Sequence, residues 1–483
     1  MSAPASVGGG ARLAHSVDSA QLFTVAFGCV VGVAWMIVLG DIVALAGPGG
    51  AALAMGVGGV AILLVAFCYA EVAAVRPAAG GELVYAYDLG GPGACFAVGW
   101  ILVLLYLAAC AFEAISIGAV TDLLFPGVVG PRLYRFLSQD VRLGAVLIGF
   151  AGVLGFWGLN AAGAGMTARA QQWVTYVRIL LMVVFLGAAL AYAKPANLLP
   201  PFSHGPGGTA AGGFLAALAT APFWFGGFTT FATASEETAS SMRIVGRAIV
   251  VSVIAAAVFY VVLILAVSAL APWRSLSRMQ LPAAQAFEVG MGSPTMAKVV
   301  LVTALLGNLT AWNALLLAGS RVVFALGRAR LGPTALGEVH RRFKTPAAAI
   351  AAVSLVSIAA LFLGRGFILP LVNVASACFG VLYAVTCLTL IKLRREPGAR
   401  PAAYAAPGGV VTAWIAAIAS LAMVCVALIG PWLAAGPKPP SEWLTLGGWI
   451  ALGVLIWTVT GRSRASIPQA ERAALLRGGA LGG

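Results

Sequence analysis

Charged side chains are scarce in this sequence. Asp, Glu, Lys and Arg make up only 9% of its 483 residues, and 61% are apolar, whereas about 25% of residues are charged in a typical soluble protein. Such a chain has too little polar surface to cover a soluble globule of its size, which excludes a soluble enzyme, a disordered protein and a coiled coil. The apolar runs have the length of membrane helices, about 20 residues, rather than that of barrel strands. The sequence therefore predicts an all-α polytopic membrane protein.

Clusters of metal-binding or nucleophilic side chains are also missing. The three histidines, His15, His204 and His340, fall in predicted loops or flanks, so no Ser/His/Asp arrangement can be recognised. The seven cysteines lie in apolar segments without a CxxC pair, which favours free buried thiols over disulfides or a zinc site. We therefore expect no cofactor, no metal ion and no catalytic residues, and a membrane-embedded enzyme is the less favoured alternative.

The net charge of +14 would indicate a nucleic-acid partner in a soluble protein. Here no basic run alternates with aromatic residues as a nucleic-acid groove requires, and basic residues typically flank the cytoplasmic ends of membrane helices. If both termini are cytoplasmic, the inner segments hold about twice as many Lys and Arg residues as the outer ones, the bias that the positive-inside rule predicts. We expect a multi-pass protein of the plasma or inner membrane, with no nucleic-acid partner.

The hydrophobic pattern predicts twelve spans in one membrane domain. An N-terminal cytoplasmic tail (1–18) precedes a core of ten helices (19–391), helices eleven and twelve (392–461) and a C-terminal cytoplasmic tail (462–483). The predicted spans are 20–46, 50–75, 94–121, 141–160, 171–193, 212–236, 246–271, 295–326, 346–364, 366–391, 409–434 and 444–461.

Glycine and proline interrupt the first and the sixth span near their middles. The first contains Phe27–Trp35 (FGCVVGVAW) and the sixth contains Ala221–Thr229 (APFWFGGFT). Glycine weakens a helix interior, and proline removes a hydrogen-bond donor and clashes with the preceding turn. Two breaks five spans apart are the spacing expected of two five-helix repeats of inverted topology, each beginning with a broken helix.

Such breaks indicate a binding site for a zwitterion. Backbone groups freed by unwinding need partners, so a break within the membrane persists only beside a polar ligand, water or protein. The start of a half-helix offers N–H donors and a positive dipole end, which suit a carboxylate, whereas carbonyl groups at a half-helix end suit an ammonium group. An α-amino acid carries this pair of charges.

Short motifs in a fixed order carry a family resemblance. They are Gly28-Cys29-Val30-Val31-Gly32-Val33-Ala34, Tyr69-Ala70-Glu71, Pro77-Ala78-Ala79-Gly80-Gly81-Glu82 with Tyr85, Gly99-Trp100, Gly227-Phe228-Thr229 with Glu236-Glu237, Trp312-Asn313, Ser320-Arg321, Val339-His340 and Thr345-Pro346. From about residue 18 to 460 the chain resembles the amino acid–polyamine–organocation (APC) transporter superfamily. The resemblance implies a LeuT-type fold, with spans one to ten as the inverted-repeat core, and transport of amino acids or related amines.

The two breaks supply most of the candidate substrate site. We expect the backbone around Val30–Ala34 to bind the substrate carboxylate, and carbonyl groups near Phe223 and Gly226 to bind its amine. Aromatic side chains beside the breaks would gate or stack on the substrate, although packing explains any one of them equally well. The candidate substrate-binding residues are Val30, Val31, Gly32, Val33, Ala34, Phe223, Trp224, Gly226, Gly227, Thr229 and Trp312.

Two ionisable residues within spans are candidates for ion coupling. Glu113 lies in the middle of span three, where a carboxyl group either carries a proton or pairs with a buried cation. Many APC members have lysine at the position of Arg178, where its ammonium would occupy the sodium position of sodium-coupled relatives, against spans one and eight. Arg178 would then make sodium unnecessary, but arginine stays protonated and cannot shuttle a proton; the alternative is a side chain that extends to the inner interface.

Two further positions qualify the prediction. Thr229 replaces the Asp or Glu of many proton-coupled or amine-handling members, which disfavours polyamines. Glu71 at the end of span two either holds the following loop or belongs to a gate.

We predict a sodium-independent secondary transporter of amino acids that works by alternating access. Transport of another small amine or organocation (polyamine or ethanolamine-like), and a channel or sensor on the same scaffold, remain alternatives, and a homodimer is possible.

Overall fold

The computed structural model describes residues 27–28, 30–76, 81–137, 139–163, 168–205, 208–229, 242–276, 279–396, 403–435 and 439–477. Within these residues the chain is almost entirely helical, as the sequence predicts. The helices, numbered here in chain order, are α1 (Ala34–Val75), α2 (Glu82–Leu124), α3 (Leu143–Ala161), α4 (Ala168–Ala191), α5 (Ala210–Leu218), α6 (Ala221–Phe225), α7 (Met242–Leu270), α8 (Trp273–Leu276), α9 (Pro282–Met291), α10 (Pro294–Arg328), α11 (Ala347–Leu361), α12 (Ile368–Arg395), α13 (Gly409–Ala435), α14 (Ser441–Val459), α15 (Gly461–Ala465) and α16 (Gln469–Leu476).

Ten helical segments of the described chain are long and apolar enough to cross a membrane. The first of them, α1, joins the predicted spans one and two across a kink at Gly47. This glycine has a φ of +74° and is followed by Pro48. A Cβ atom on Gly47 would lie 2.7 Å from the Pro201 carbonyl oxygen, so the bend needs glycine both for its dihedral angle and for this close approach. The apolar helix α11 has only 15 residues, and the count of twelve spans stays a prediction.

Helix α2 begins earlier than span three was predicted to begin. It starts at Glu82 and passes through a kink at Gly90 and Gly91, ahead of Pro92, before it continues to Leu124. The predicted span three covered only residues 94–121. The structure instead adds two helical turns, with Leu83 and Tyr85 buried.

A β-hairpin between α2 and α3 was not predicted. Strands β1 (Arg132–Phe136) and β2 (Gln139–Arg142) pair antiparallel and lie against the connection between α11 and α12. There the Tyr134 hydroxyl donates to the Phe362 carbonyl oxygen, and Gly364 closely approaches Val141. Both strands are short and mostly exposed, so they lack the apolar alternation that would have predicted them.

Residues 462–483 were predicted to form a cytoplasmic tail, and the described part of this segment, up to residue 477, folds back onto the helices. Arg472 on α16 is buried and donates from Nε to the Ala329 carbonyl oxygen over 3.1 Å. The Tyr87 hydroxyl donates to the Gln469 carbonyl oxygen over 2.9 Å, and Arg477 forms a salt bridge with Asp88. The start of α2 and the end of α10 therefore anchor the short C-terminal helices.

Glu71 supports the end of α1 in the structure. Its carboxylate is buried and accepts two hydrogen bonds from Arg394, over 2.8 and 2.6 Å, and one from the Ala406 amide. A bidentate carboxylate–guanidinium pair of this kind fixes the ends of α1 and α12 relative to each other. Glu71 therefore holds the end of α12 and the loop before α13, whereas most of the loop that directly follows α1, to which the prediction referred, lies outside the described residues.

The cysteines are buried with one exception. Cys68, Cys95, Cys110, Cys378 and Cys387 are buried free thiols, and Cys425 is exposed on α13. The expectation of a buried thiol was therefore wrong for Cys425, because α13 packs on one side only and its other side carries exposed apolar residues such as Ile418 and Leu421. Cys29 lies outside the described residues.

Candidate substrate-binding site

The first break lies immediately before α1. Residues 31–33 are not helical, and regular α1 starts at Ala34. Freed carbonyl oxygens at this break accept hydrogen bonds from side chains of other helices: Arg178 Nη2 donates to Val31 over 2.7 Å and to Gly32 over 3.5 Å. The protein thus satisfies these acceptors, as burial within a membrane requires, while the first turn of α1 presents amide donors.

The second break separates α5 from α6 and continues beyond it. Ser376 on α12 lies between the two short helices, because its hydroxyl donates to the Thr220 carbonyl oxygen and accepts from the Phe223 amide, both over 3.3 Å. The Tyr383 hydroxyl donates to the Pro222 carbonyl oxygen over 3.3 Å. Residues 230–241, which include the end of predicted span six, lie outside the described residues.

Tyr260 on α7 connects the two breaks. Its hydroxyl oxygen lies 3.0 Å from the Val30 carbonyl oxygen and 2.8 Å from the Trp224 carbonyl oxygen. A phenol has a single hydrogen to donate, so the two carbonyl groups share or alternate one donor. The ring packs edge-on against Trp224 and Phe225, with centroids 5.1 and 5.2 Å apart, which holds the hydroxyl at this position.

Arg178 on α4 lies against the first break and against α10. Its side chain is buried, and a Cβ atom on Gly307 would lie 3.1 Å from Nη2, so glycine at residue 307 allows α10 to approach the guanidinium closely. The alternative of a side chain that extends to the interface does not describe this position. A permanent positive charge is therefore held beside the carbonyl oxygens of Val31 and Gly32.

Glu113 on α2 is buried and bound to α10. Asn308 Nδ2 donates to Glu113 Oε2 over 2.7 Å and to the Glu113 carbonyl oxygen over 3.0 Å. The carboxyl group is also close enough to Arg178 for an electrostatic interaction. Asn308 therefore contacts Glu113, and the preceding residue of α10, Gly307, contacts Arg178.

A cavity of about 240 Å³ lies between the breaks, with Glu113 and Arg178 in its wall. Its volume suits a small molecule rather than a peptide or a nucleotide. The predicted site residues that line it are Val30, Gly32, Val33, Ala34, Glu113, Arg178, Phe223, Trp224, Gly226, Gly227 and Thr229.

Two predicted residues do not line this cavity. Val31 contributes its carbonyl group to Arg178, and its side chain is buried in the core. Trp312 packs against α3, with its ring 5.3 Å from that of Phe156 and in close contact with Gly152. Trp312 is therefore a packing residue in this structure.

Several residues that line the cavity were not predicted from the sequence. Tyr106, Phe112 and Thr310 line it, and Phe379 on α12 approaches Gly226 so closely that a Cβ atom at residue 226 would clash with its ring. These residues are ordinary members of apolar spans, and nothing in their spacing distinguishes them from core residues. Asn308, the hydrogen-bond partner of Glu113, could have been noticed from the sequence, because it is a polar residue beside Gly307 in the middle of an apolar span.

The polar groups at the breaks differ in whether they already have a hydrogen-bond partner within the protein. The Gly226 carbonyl oxygen accepts from the Thr229 hydroxyl over 3.0 Å and from the Thr229 amide over 3.2 Å, so a carbonyl group predicted to face the amine already has two donors within the protein. The described residues hold no group of three or more His, Cys, Asp or Glu side chains that could bind a metal ion. The cavity combines one fixed cation, one carboxyl group and backbone dipoles with largely apolar walls.

Comparison with known proteins assigns residues 19–459 to a family described as amino acid permease. The chain is 25% identical to the methylthioribose transporter of Bacillus subtilis (strain 168), over 93% of this chain and 94% of that protein. It is also 25% identical to the branched-chain amino acid permease BcaP of the same organism, over 96% and 97%. A third relative is the gamma-aminobutyric acid permease of B. subtilis, 25% identical over 76% of this chain and 77% of the relative.

Proposed function

Since the chain belongs to the amino acid permease family, whose members are transporters rather than enzymes, we propose that it moves a small neutral amino acid across the membrane by alternating access. The substrate is held between the break at residues 31–33 and the interruptions at residues 219–220 and 226, on either side of α6. The single observation that carries this proposal is the Tyr260 hydroxyl, which lies within 3.0 Å of two carbonyl oxygens, that of Val30 beside the first break and that of Trp224 on α6; both residues line the cavity.

The charges around the cavity support a zwitterionic substrate. A zwitterion adds no net charge to a poorly solvated site that already holds Arg178 and Glu113, whereas a ligand with net charge would add one. The substrate carboxylate is placed at the first turn of α1, where amide donors and the helix dipole favour an anion. Its ammonium group is placed at the carbonyl oxygens near Phe223 and Gly226.

The walls support a short apolar side chain on the substrate. Ala109, Ala311, Ala314 and Leu315 line the cavity together with Phe379, and such a surface offers no partner to a charged substituent. Thr229 lies where a carboxylate would be needed to balance a second ammonium group. Polyamines and cationic amino acids are therefore disfavoured as substrates.

Sodium independence follows from the position of Arg178. The guanidinium donates to the carbonyl oxygens of Val31 and Gly32, acceptors of the kind that coordinate an alkali cation. Two like charges about 4 Å apart repel strongly in a poorly solvated site, so we propose that Arg178 replaces a sodium ion there.

A second candidate function is transport of a neutral thiosugar. The relative named as a methylthioribose transporter matches over nearly its whole length, and an uncharged substrate also keeps the charge balance of the cavity. This candidate differs from the first in needing neither the amide donors of α1 nor the carbonyl acceptors near Phe223.

Counterflow in proteoliposomes tests the proposal. Vesicles are loaded with one unlabelled compound, and entry of the same labelled compound is measured for neutral and cationic amino acids, polyamines, ethanolamine and methylthioribose. A carrier shows accelerated entry from trans-loaded vesicles, whereas a channel or a sensor does not. Acceleration by neutral amino acids, lost on methylation of their amine or carboxyl group, would support the proposal; acceleration by methylthioribose alone would replace it.

A further inference from the structure

A long apolar groove lies outside the candidate substrate site, on the surface formed by α2, α12, α13 and α14. Its volume is about 830 Å³, and four tryptophans form much of its wall. We name it the tryptophan groove and define it by the residues that the argument uses: Phe96, Trp100, Trp443, Gly447, Trp449 and Trp457.

The polar groups of three of these tryptophans are already used. Trp100 Nε1 donates to the Trp449 carbonyl oxygen over 2.8 Å, and Trp449 Nε1 donates to the Trp100 carbonyl oxygen over 2.9 Å. Trp443 Nε1 donates to the Leu428 carbonyl oxygen over 2.9 Å. Because an indole has one N–H donor and no acceptor, these rings present hydrocarbon-like surface to whatever lies in the groove.

The groove follows the whole length of α14. Trp443 and Trp457 lie fourteen positions apart on one face, which corresponds to roughly 21 Å along the helix axis, more than half of the ~30 Å hydrocarbon core of a bilayer. The Trp100 and Trp449 rings stack 4.3 Å apart in its floor, and Phe96 lies 4.9 Å from Trp457. This shape suits an extended chain of methylene groups.

A basic cluster, Arg330, Arg464 and Arg472, lies at the Trp457 end of the groove. The Arg464 guanidinium lies 3.5 Å from the centroid of the Trp457 ring and donates to the Trp457 carbonyl oxygen over 2.8 Å. Arg472 donates to the Arg464 carbonyl oxygen. Arg330 donates to Ser466 in the same segment over 3.1 Å.

No carboxylate balances this cluster within the described part of the chain. None of its three guanidinium groups belongs to a salt bridge there, and Glu471, the neighbour of Arg472 in sequence, makes none either. Burial, and to a smaller extent the adjacent Arg472 charge, lowers the pKa of Arg464, and an anion beside these two guanidinium groups would offset their mutual repulsion.

We propose that the tryptophan groove and the basic cluster form a binding site for one anionic phospholipid. An acyl chain lies along the groove between α2 and α14, and the phosphate group accepts hydrogen bonds from Arg464 and Arg330 where α14 ends. The charge of the cluster selects an anionic headgroup, and the consumed indole donors make the groove apolar throughout. The site is separate from the cavity between the helix breaks and does not depend on the transported substrate.

Native mass spectrometry of the full chain in a mild detergent tests this proposal. Phosphatidylglycerol and phosphatidylcholine with identical acyl chains are added at equal concentrations, and the fraction of protein that retains one lipid is measured. We expect preferential retention of phosphatidylglycerol. Substitution of two arginines, R330Q/R464Q, should weaken its binding about tenfold or more, because each basic residue near a lipid surface contributes appreciably to anionic lipid binding. The control R341Q/R342Q removes the same charge from an exposed loop and should leave binding unchanged.

Two neighbouring glycines of α14, Gly447 and Gly448, differ in their relation to the groove. A Cβ atom at Gly447 or at Gly448 meets nothing within 4 Å, so leucine fits at both positions without a clash, but only Gly447 lines the groove. G447L should abolish phosphatidylglycerol retention and G448L should not. Equal retention of both lipids by the unsubstituted protein, or equal retention by the two leucine variants, would overturn the proposal. The proposal would also be overturned if the protein is a dimer and G447L dissociates that dimer without loss of bound lipid. The groove would then be a protein interface.

Discussion

Arg178 Nη2 donates a 2.7 Å hydrogen bond to the carbonyl oxygen of Val31. This contact ties the middle of α4 to the stretch of chain that is not helical before α1, and it places a permanent charge at the edge of the candidate site. A backbone carbonyl group that would lack a helical partner is satisfied by a side chain from another helix. The same contact therefore stabilises the break, and in the proposed function it takes the place of a mobile cation there.

We predict that transport does not require sodium and depends on the Arg178 guanidinium. Uptake of the substrate found by counterflow should stay within about twofold when choline replaces sodium at constant pH and osmolarity. R178M keeps much of the side-chain length but removes a charged donor worth about 1.5–3 kcal/mol, so apparent affinity should fall about tenfold or more. R341M, a change on an exposed loop, is the control. Steep sodium dependence of the unsubstituted protein would contradict the assigned role.

Tyr260 is expected to position the two breaks relative to each other. Y260F removes the shared donor of Val30 and Trp224 but keeps the ring contacts, so we expect KM to rise about fivefold to tenfold, in keeping with the loss of one hydrogen bond worth about 1 kcal/mol. Initial rates over a range of substrate concentrations measure this effect. Y192F removes an exposed hydroxyl at the end of α4 and should change nothing. An unaltered KM in Y260F would show that the bridge has no part in binding.

Gly32 offers a direct test of the cavity. A Cβ atom at residue 32 meets nothing within 4 Å, and residue 32 lines the cavity, so leucine should occupy substrate space without disturbing the fold. We expect G32L to reduce uptake at least a hundredfold with little change in unfolding temperature. G187L is the matched control, because Gly187 is an exposed position on α4 with equally open surroundings. Normal uptake by G32L would remove this cavity from the proposed mechanism.

The sequence could predict the helices because their signal is local. Long apolar runs identify membrane helices whatever their neighbours are, and Gly32 and Pro222 indicate breaks from backbone chemistry alone. The position of Arg178 beside span one was predicted only through resemblance to the APC superfamily. The hairpin at Arg132–Arg142 was missed because its two short, exposed strands carry no periodic signal.

The contacts that complete the site could not be predicted, because they depend on helix packing. Tyr260 lies in an apolar span 230 residues from Val30, and one sequence does not report which face of α7 meets which carbonyl group. The same reason explains Trp312, whose burial against Gly152 and Phe156 looks identical in sequence to a position beside a substrate. The type of a side chain limits the chemical roles open to it, whereas the residues packed around it determine which of those roles it has.

If protons drive accumulation, we predict that Glu113 carries them. It is the carboxyl group in the cavity wall, and it accepts a 2.7 Å hydrogen bond from Asn308 near the charge of Arg178. E113Q removes titration but keeps an oxygen that can accept from Asn308, so the link between α2 and α10 survives. Accumulation driven by a pH gradient should vanish in E113Q, whereas exchange, which needs no net proton movement, should continue at a rate within about threefold of the original.

The two assays together separate coupling from structure. In N308A the carboxyl group remains but loses its donor, so we expect proton-driven accumulation to persist with an altered pH profile, because the free energy of protonation depends on hydrogen bonds to the charged form. Loss of both accumulation and exchange in E113Q, together with a lower unfolding temperature, would make Glu113 a structural partner of Asn308. Undiminished accumulation in E113Q would exclude this carboxyl group from proton coupling. Exchange or facilitated diffusion would then be the simplest mechanism consistent with the fixed charge of Arg178 beside the cavity.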